Sequence, residues 1–476
     1  MSTAAAITTA IPARLDRLPW SRFHLLIVLA LGITWVLDGL EVTIVGAIGP
    51  VLQDPRTLHL SAQEIGAVAS FYLVGAVSGG LFFGWLTDRH GRRRLFFLTL
   101  ALYLAGVALS AFAWNFWSFA LFRLITGAGI GGEYAAINSA IDELMPPRLR
   151  GRLDLIINGS YWLGAALGAG ATVGLLDQRL LPIDLGWRLG FAIGAVLGGG
   201  ILLLRRIVPE SPRWLVTHGH VAAAEAATAE IERRVSAEGA GPLAPVTAAL
   251  TLHPRAHFGF GEVARAMLGA YRRRSVLALA LMVAQAFLYN ALFFTYGLIL
   301  TRFYGVAAGD AGLYLLPLAA GNFLGPVLLG RFFDTVGRRR MIAGTYGIAG
   351  LLLALAGWLF AVGALTATTQ TLAWSAIFFV ASAAASSAYL TASEIFPLET
   401  RALALACFYA LGTAAGGIVA PWLFGRLIGI GSRWYIFEGY LVAALLMVIA
   451  AAVAWRFGVD AEGRSLEAIA APLAAD

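Results

Sequence analysis

The chain has 476 residues, of which 59% are hydrophobic and 13% are charged, and its mean hydropathy is +0.78. A soluble globular protein of this length needs far more polar surface, so the composition excludes that class and predicts a protein solvated mainly by lipid. The formal net charge of +7 comes from basic residues scattered over short loops, which is typical of membrane topology signals and not of a nucleic-acid-binding domain. The single cysteine, Cys407, excludes an intramolecular disulfide and a thiolate metal cluster.

Twelve apolar runs follow one another along the chain, and each is long enough to cross a hydrocarbon core about 30 Å thick as a helix. They lie near residues 23–51, 63–86, 95–114, 117–144, 153–176, 187–207, 274–302, 310–333, 341–362, 371–394, 402–429 and 434–457. The first run continues far beyond the length of a signal-peptide core and lacks a clear cleavage site, so we interpret it as a retained helix.

A long polar segment separates the sixth run from the seventh, and its Ala-rich amphipathic stretches predict short helices. The sequence therefore predicts an all-α membrane protein in five segments. They are a cytoplasmic N-terminal segment (1–22), an N-terminal six-helix bundle (23–208), a cytoplasmic linker (209–272), a C-terminal six-helix bundle (273–458) and a cytoplasmic tail (459–476).

Four basic loops predict the orientation in the membrane. HGRRR (90–94), RLRGR (148–152), RRR (272–274) and GRRR (337–340) all lie on one side if the helices alternate in direction. Cytoplasmic loops of membrane proteins carry an excess of arginine and lysine. We therefore expect a multi-pass protein of the cytoplasmic (inner) membrane with both termini in the cytoplasm.

Two sequence patterns occur once in each half of the chain. GWLTDRHGRRR begins at Gly84 and GRFFDTVGRRR at Gly330, while ELMPPRLRG begins at Glu143 and EIFPLETRA at Glu394. Both pairs are separated by almost the same number of residues, which indicates an internal duplication. In membrane proteins such repeats are typical of transporters whose site lies between the halves.

Three further motifs are RLITGAGIGGEY from Arg123, PESPRWL from Pro209 and EGRSLEAI from Glu462. Together with the repeats they resemble the major facilitator superfamily, and within it the branch of sugar porters and metabolite:proton symporters, over essentially the whole chain. The resemblance implies the major facilitator fold, with twelve transmembrane helices in two pseudo-symmetric six-helix bundles, and secondary transport by alternating access. It implies no enzymatic activity and no cofactor, with protons as the coupling ion.

Amides and aromatic residues from both halves are candidates for a central substrate site: Asn158, Trp162, Gln285, Tyr289, Asn290 and Tyr389. Gln285 and Asn290 match the sugar-binding pattern of sugar porters, whereas Asn158 and Tyr389 depart from it. The segment WVLDGLEVTIVG in the first run looks more like niacin-type and organic-acid symporters. A small organic acid is therefore the favoured substrate class, and a sugar or polyol is the alternative.

Two acids and one arginine are candidates for proton coupling. Asp38 and Glu41 lie inside the first apolar run, where a charged side chain at the helix centre costs roughly 2.5 to 3.5 kcal/mol. Their i,i+3 spacing places them on one helix face, which we expect to point into the bundle. Arg123 lies at a matching depth in the fourth run, and the resemblance implicates the corresponding arginine and acid in coupling. A permanent structural ion pair is the alternative, and either acid could titrate.

The repeated loop motifs predict a conformational latch. Asp88 with Arg92, and Asp334 with Arg338, place a carboxylate one turn before a basic cluster, which loop charge alone does not explain. The residues assigned to the latch are Gly84, Asp88, Arg92, Glu143, Arg150, Asp334, Arg338, Glu394 and Arg401. The glycines of GAGIGG (127–132) predict close backbone packing instead, because glycine lets neighbouring helices approach.

The motif search also limits the other classes of function. The seven histidines lie in loops, the linker or helix ends, which supports neither a metal site nor a histidine proton relay. A phosphate-binding GxxxxGK[ST] loop is absent from the sequence. We expect a monomer whose partners are a small-molecule substrate and the lipid bilayer, without nucleic acid. A transporter-like sensor or scaffold is the alternative from another class.

Overall fold

The computed structural model describes residues 6–204, 208–238, 243–246, 249–252, 260–293, 296–306 and 311–472. The described residues begin with strand β1 (Ile7–Thr9) and helix α1 (Ile11–Asp16). The N-terminal half then contains α2 (Arg22–Leu52), α3 (Ala62–His90), α4 (Arg92–Ser110), α5 (Phe116–Leu144), α6 (Arg150–Gly159), α7 (Tyr161–Leu175) and α8 (Ile183–Leu204).

The polar segment between the halves contains α9 (Pro212–Thr217), α10 (Val221–Ala237), strand β2 (Leu250–Leu252) and α11 (Phe260–Leu268). The C-terminal half contains α12 (Arg272–Phe293), α13 (Tyr296–Tyr304), α14 (Ala311–Thr335), α15 (Arg338–Ala361), α16 (Ala367–Glu394), α17 (Arg401–Gly412), α18 (Val419–Ile430) and α19 (Arg433–Phe457). A π-helical segment (Thr413–Ile418) joins α17 to α18, and α20 (Leu466–Ile469) lies in the tail.

Ten helices in the described ranges are long and apolar enough to cross a membrane. The other two of the twelve predicted passes are α5 and the pair α6 and α7. The first carries several buried ionisable side chains, and the second is divided into two shorter helices at Ser160. Each half buries its own hydrophobic core. The halves meet where α3 packs against α17 and where α14 packs against α6 and α7. The predicted all-α fold of two six-helix bundles is confirmed.

Glycine permits the closest helix contacts in the N-terminal half, as the GAGIGG motif predicts. A Cβ atom on Gly127 would lie 2.0 Å from the carbonyl oxygen of Tyr72, and one on Gly131 would lie 2.0 Å from that of Ala76. No real Cβ atom tolerates such a distance, so α3 and α5 pack backbone to backbone. This packing brings the polar residues of α5 close to α2 and α3.

Residues 7–16 fold against the polar segment, which the sequence did not predict. β1 pairs with β2 in an antiparallel two-stranded sheet. Arg14 forms an ion pair with Glu232 of α10 (Nη2 to Oε2, 2.6 Å), and Asp16 accepts a hydrogen bond from Arg213 of α9 (2.6 Å). The N-terminal segment and the polar segment therefore form one cap on the bundle.

Candidate functional site

A buried ion pair joins α2 to α5 in the middle of the N-terminal half. Arg123 donates from both Nη atoms to the two carboxylate oxygens of Glu41, and both side chains are almost fully buried. The guanidinium also lies 4.7 Å from the ring centroid of Tyr72, a cation–π contact. Removing one member would leave an uncompensated buried charge, which costs roughly 3 to 5 kcal/mol.

Asp38 lies one helical turn before Glu41 and has different partners. Its carboxylate accepts hydrogen bonds from the hydroxyl of Tyr72 (3.1 Å) and from the hydroxyl of Tyr134, and it is 1% exposed. Asp38, Glu41 and Arg123 together carry a net charge of −1 when both acids are ionised. One proton therefore makes this buried group electrically neutral.

Aromatic side chains from both halves surround Asp38. Trp35 stacks on Tyr134 with ring centroids 4.4 Å apart and planes 4° from parallel. Tyr389 of α16 meets the edge of Trp35 at 5.9 Å, and Tyr409 of α17 meets Tyr134 at 5.4 Å. The indole Nε1 of Trp35 is buried and has no hydrogen-bond partner among the described residues. This aromatic cluster therefore places flat apolar rings and one unpartnered donor beside Asp38.

A second group of predicted residues lies next to this cluster. Gln285 hydrogen-bonds to the hydroxyl of Tyr389, and Trp162 lies 5.8 Å from Tyr289 between ring centroids. The Tyr289 hydroxyl donates to Asn322 Oδ1 at 2.6 Å. The structure therefore brings these four predicted residues together from both halves.

Two predicted amides, Asn290 and Asn158, each donate a hydrogen bond within their own helix, and Asn158 also donates one to α5. Asn290 donates to the carbonyl oxygen of Ala286 (2.7 Å) and faces the π-helical segment, where a Cβ on Gly417 would lie 3.3 Å from its Nδ2. Asn158 donates to Asn138 Oδ1 (3.2 Å) and to the carboxylate of Asp154 (3.2 Å). The hydrogen bonds of Asn158 among the described residues thus go to Asn138 and Asp154, and not to a side chain of the aromatic cluster.

Several residues of this region were missed from the sequence: Trp35, Tyr72, Tyr134, Asn322 and Tyr409. A signal existed for Tyr134, because it follows Arg123 by about three helical turns and therefore lies on the same face. Trp35 similarly precedes Asp38 by one turn. Tyr72, Asn322 and Tyr409 stand in apolar runs without a spacing that distinguishes them from packing residues.

The repeated motifs meet at the end of the bundle that carries the basic loops, here called the basic face. In the N-terminal half, Arg92 lies 2.8 Å from Glu143 and 3.4 Å from Asp88. In the C-terminal half, Arg338 lies 3.0 Å from Glu394 and 2.8 Å from Asp334. The two halves therefore repeat an arginine held between two acids.

The same aspartates also connect the two halves. The carboxylate of Asp88 accepts the backbone N–H groups of Ala402 (3.3 Å) and Leu403 (2.9 Å) at the start of α17. That of Asp334 accepts those of Gly151 (3.1 Å) and Arg152 (2.7 Å) at the start of α6. Each aspartate thus satisfies unpaired N–H groups at a helix N-terminus of the other half, where the helix dipole also favours an anion.

The remaining residues predicted for the latch lie around these contacts. Arg150 lies 3.7 Å from Glu394, and Arg401 lies 3.7 Å from Glu143, so each of these ion pairs also crosses between the halves. A Cβ on Gly84 would lie 2.7 Å from the Cβ of Ala406, which means that glycine is needed for α3 to contact α17. The basic face is closed in this structure.

The polar segment and the tail reinforce this closed face. Glu210 accepts the backbone N–H groups of Arg92 (2.9 Å) and Arg93 (3.2 Å) at the start of α4. Burial raises the pKa of the Glu210 carboxyl, although these N–H groups oppose the shift. Glu462 accepts the backbone N–H of Arg338 at the start of α15 (3.1 Å). Both acids approach glycines of positive φ, Gly91 at 93° and Gly337 at 114°, where a side chain would be strained.

Comparisons with known proteins agree with this architecture. A family model described as sugar (and other) transporter matches residues 37–472. The niacin transporter NiaP of Acinetobacter baylyi is 25% identical over 458 residues, which cover 96% of this chain and 99% of that protein. Myo-inositol transporter 2 of Schizosaccharomyces pombe is 29% identical over 392 residues, which cover 78% of this chain and 68% of that protein.

Among solved structures, the proton:xylose symporter XylE has a TM-score of 0.76 and 21% sequence identity, with 94% of this chain and 98% of that chain covered. At this identity the likeness concerns the fold. The match of the family model over nearly the whole length, the duplicated bundles and the transporters among the relatives lead to one conclusion. The chain belongs to the sugar (and other) transporter family of the major facilitator superfamily, and it is a multi-pass membrane secondary transporter of a small molecule, not an enzyme.

Proposed function

We propose that this transporter couples the movement of a small organic acid to that of a proton by alternating access. The proposal is carried by the buried Glu41–Arg123 ion pair with Asp38 beside it, next to an aromatic cluster built from both halves. The niacin transporter among the relatives, which carries an aromatic acid according to its name, supports this substrate class.

The charges of the site suggest how coupling works. A substrate carboxylate competes with Glu41 for Arg123, because a guanidinium binds carboxylates in bidentate geometry. Glu41 then loses its counter-charge in a dry environment, which favours its protonation. Substrate anion and proton together add no net charge, so the loaded site has the same net charge as the empty one while the two halves move around it. Asp38 is the alternative proton acceptor.

The remaining contacts of the substrate are proposed on the same geometry. A flat ring fits against Trp35 and Tyr389, and the free Nε1 of Trp35 donates to a substrate oxygen. Trp162, Gln285, Tyr289 and Asn290 complete the site from the other side. Asn158, a sequence candidate for substrate binding, has its amide engaged with Asp154 and Asn138.

The basic-face network serves as the latch of the inward-closed state in this proposal. Separation of the halves would remove the carboxylates of Asp88 and Asp334 from the N-termini of α17 and α6 and open the face to the cytoplasm. The protein would then work as a monomer in the inner membrane, with both termini and the linker in the cytoplasm.

Proteoliposomes test the coupling directly. The purified protein is reconstituted, and external pH is recorded while monocarboxylates, aromatic acids, sugars and polyols are added in turn. We expect alkalinisation with an organic acid, reduced at least tenfold in Glu41→Gln. Glu64→Gln is the matched control, because Glu64 lies outside the site in a capping box that glutamine also satisfies.

A sugar or polyol porter is the second candidate. Gln285 and Asn290 match the sugar-porter pattern, and myo-inositol and xylose transporters are among the similar proteins. Uptake of a polyol but of no organic acid would establish this alternative. A sensor or scaffold would bind substrate without uptake of any compound in the panel.

A further inference from the structure

A second buried acidic pair lies apart from the Asp38 and Glu41 site, between α5 and α6 near the basic face. Asp142 stands two residues before the end of α5, and Asp154 lies in α6. Both side chains are 0% exposed. The Nδ2 of Asn158 donates to the Asp154 carboxylate at 3.2 Å and to Asn138 Oδ1 at 3.2 Å.

These acids are not part of the internal repeat. When ELMPPRLRG is aligned with EIFPLETRA, Asp142 corresponds to Ser393 and Asp154 corresponds to Leu405. Both counterparts are fully buried in the C-terminal half, so the latch architecture works with neutral residues at these positions. The pair therefore has a role that the latch does not explain.

The pair has an excess of hydrogen-bond acceptors. Both carboxylate oxygens of Asp142, Oδ1 of Asp154 and Oδ1 of Asn158 are buried without a hydrogen-bond partner among the described residues. Ser393 is adjacent to Asp142, but its hydroxyl donates to the carbonyl oxygen of Leu390 (2.9 Å). Asn158 is only 6% exposed, and its amide is held against Asp154, so its unpaired oxygen also needs a donor at this place.

Arg150 (Nε and Nη2) and Arg401 (Nε and Nη1) also carry buried nitrogens without a hydrogen-bond partner among the described residues, but none of these nitrogens lies within hydrogen-bond distance of Asp142 or Asp154. The ionisable groups that face the pair are Glu394 on α16, Arg338 on α15, Arg401 on α17 and Arg150 on α6. Each of the three arginines forms its ion pairs with acids other than Asp142 and Asp154. Arg338 pairs with Glu394 and Asp334, Arg401 with Glu143, and Arg150 with Glu394. Glu394 adds a further negative charge.

We propose that Asp142 and Asp154 bind one proton between them while the basic face is closed, and that they release it when this face opens. Two neighbouring carboxyls in a dry site cannot both ionise without a cost of several kcal/mol. A proton on one oxygen supplies the missing O–H donor. When the halves separate, water reaches the pair, the O–H bond breaks with its electron pair left on the carboxylate, and the proton passes to water.

This proton site is distinct from the one proposed at Asp38 and Glu41. The binding of the proton does not rest on the proposed function, whereas its use in transport does. Because one proton leaves on opening, a rise in pH favours the open state. The ratio of open to closed molecules then changes by up to tenfold per pH unit.

Spin labels on the two halves measure this ratio without a substrate. Arg94 and Arg340 are exposed at the starts of α4 and α15, so Arg94→Cys and Arg340→Cys carry the labels in a full-length Cys407→Ser background. We expect the population with separated labels to rise with pH, and the Asp142→Asn, Asp154→Asn double variant to lose this dependence and remain mostly closed. Asp184→Asn, an exposed acid paired with Arg188, is the matched control and keeps the wild-type slope.

An infrared titration gives a second readout that does not depend on opening. We expect the protein at neutral pH to show a protonated-carboxyl C=O band that disappears in Asp142→Asn and in Asp154→Asn. Asp154→Leu, which copies the residue of the C-terminal half, replaces any variant that fails to fold.

Three outcomes would overturn the proposal. They are an unchanged pH slope in the double variant, a wild-type protein without any slope, or a carboxyl band that survives both substitutions. A response to sodium at constant pH, lost in the double variant, would make the ligand a metal cation and also refute proton binding. Glu41→Gln should keep the slope while it abolishes substrate-driven alkalinisation, so failure of this proposal and failure of the proposed function are distinguishable.

Discussion

The strongest test of the latch is Asp88→Asn, which keeps the shape of the side chain but removes its charge. The carboxylate of Asp88 accepts the backbone N–H groups of Ala402 and Leu403 at 3.3 and 2.9 Å. Asparagine offers only one acceptor oxygen and turns an NH₂ group toward the second N–H. The start of α17 therefore loses one hydrogen bond and the favourable interaction of its dipole with an anion.

The magnitude follows from these two losses. A hydrogen bond to a charged group contributes about 1.5 to 3 kcal/mol, and an anion at a helix N-terminus contributes about 0.3 to 1 kcal/mol. We therefore expect the closed basic face to be destabilised by about 2 to 4 kcal/mol. Since 1.4 kcal/mol is tenfold in an equilibrium constant, the ratio of open to closed molecules should rise roughly 30- to 700-fold.

The assay is the distance distribution between spin labels at Arg94→Cys and Arg340→Cys in the Cys407→Ser background. Asp334→Asn should open the face to a similar extent, because Asp334 makes the equivalent contacts with α6. Asp54→Asn is the control, since Asp54 forms its ion pair with neighbouring Arg56 in an exposed loop. A change of less than threefold in Asp88→Asn would refute the reasoning.

Two further predictions concern stability, and apparent unfolding temperature in detergent measures both. Gly131→Ala places a Cβ 2.0 Å from the carbonyl oxygen of Ala76 and should destabilise the protein by about 3 kcal/mol. The control is Gly170→Ala, whose Cβ meets no atom within 4 Å and should not destabilise the protein. Equal effects of the two substitutions would contradict the packing argument. Burial lowers the pKa of His218 from 6.5 to about 4. Between these pH values His218 is therefore protonated in the unfolded chain and neutral in the folded chain. The contribution of His218 to stability should be constant above pH 6.5 and fall by at most about 3 kcal/mol between pH 6.5 and 4. In His218→Phe, which can still stack on Trp214, the loss of stability over this range should be smaller by that amount.

Part of the central site was predictable because the bilayer makes ionisable residues conspicuous. Asp38, Glu41 and Arg123 interrupt apolar runs, and a lipid-facing position for them is excluded on energetic grounds. Trp35 had only its spacing of one turn from Asp38 as a signal and Tyr409 had none, since aromatic side chains are common in membrane helices and pack in many ways. Only the folded structure brings these two into one aromatic cluster with Tyr134 and Tyr389.

Asn158 illustrates the limit of position along a helix. Its place in the fifth apolar run predicts a polar contact inside the bundle, which the structure contains. The register to Asp154, one turn earlier, and the packing of α6 against α5 direct its amide toward Asn138. The partner of a buried amide is thus decided by helix packing, which the linear sequence does not encode locally.

The sequence by itself determined the membrane class, the twelve passes, the duplication and the acids and arginines of the repeated motifs, because lipid imposes a length and a polarity on every pass. The tertiary structure decided which groups these acids contact. Asp88 and Asp334 cap helices of the opposite half through backbone N–H groups, which every residue except proline carries and which therefore leave no trace in a motif. The N-terminal segment likewise contacts the linker through strand pairing between β1 and β2. This pairing also uses backbone hydrogen bonds, so the sequence does not show which two segments pair.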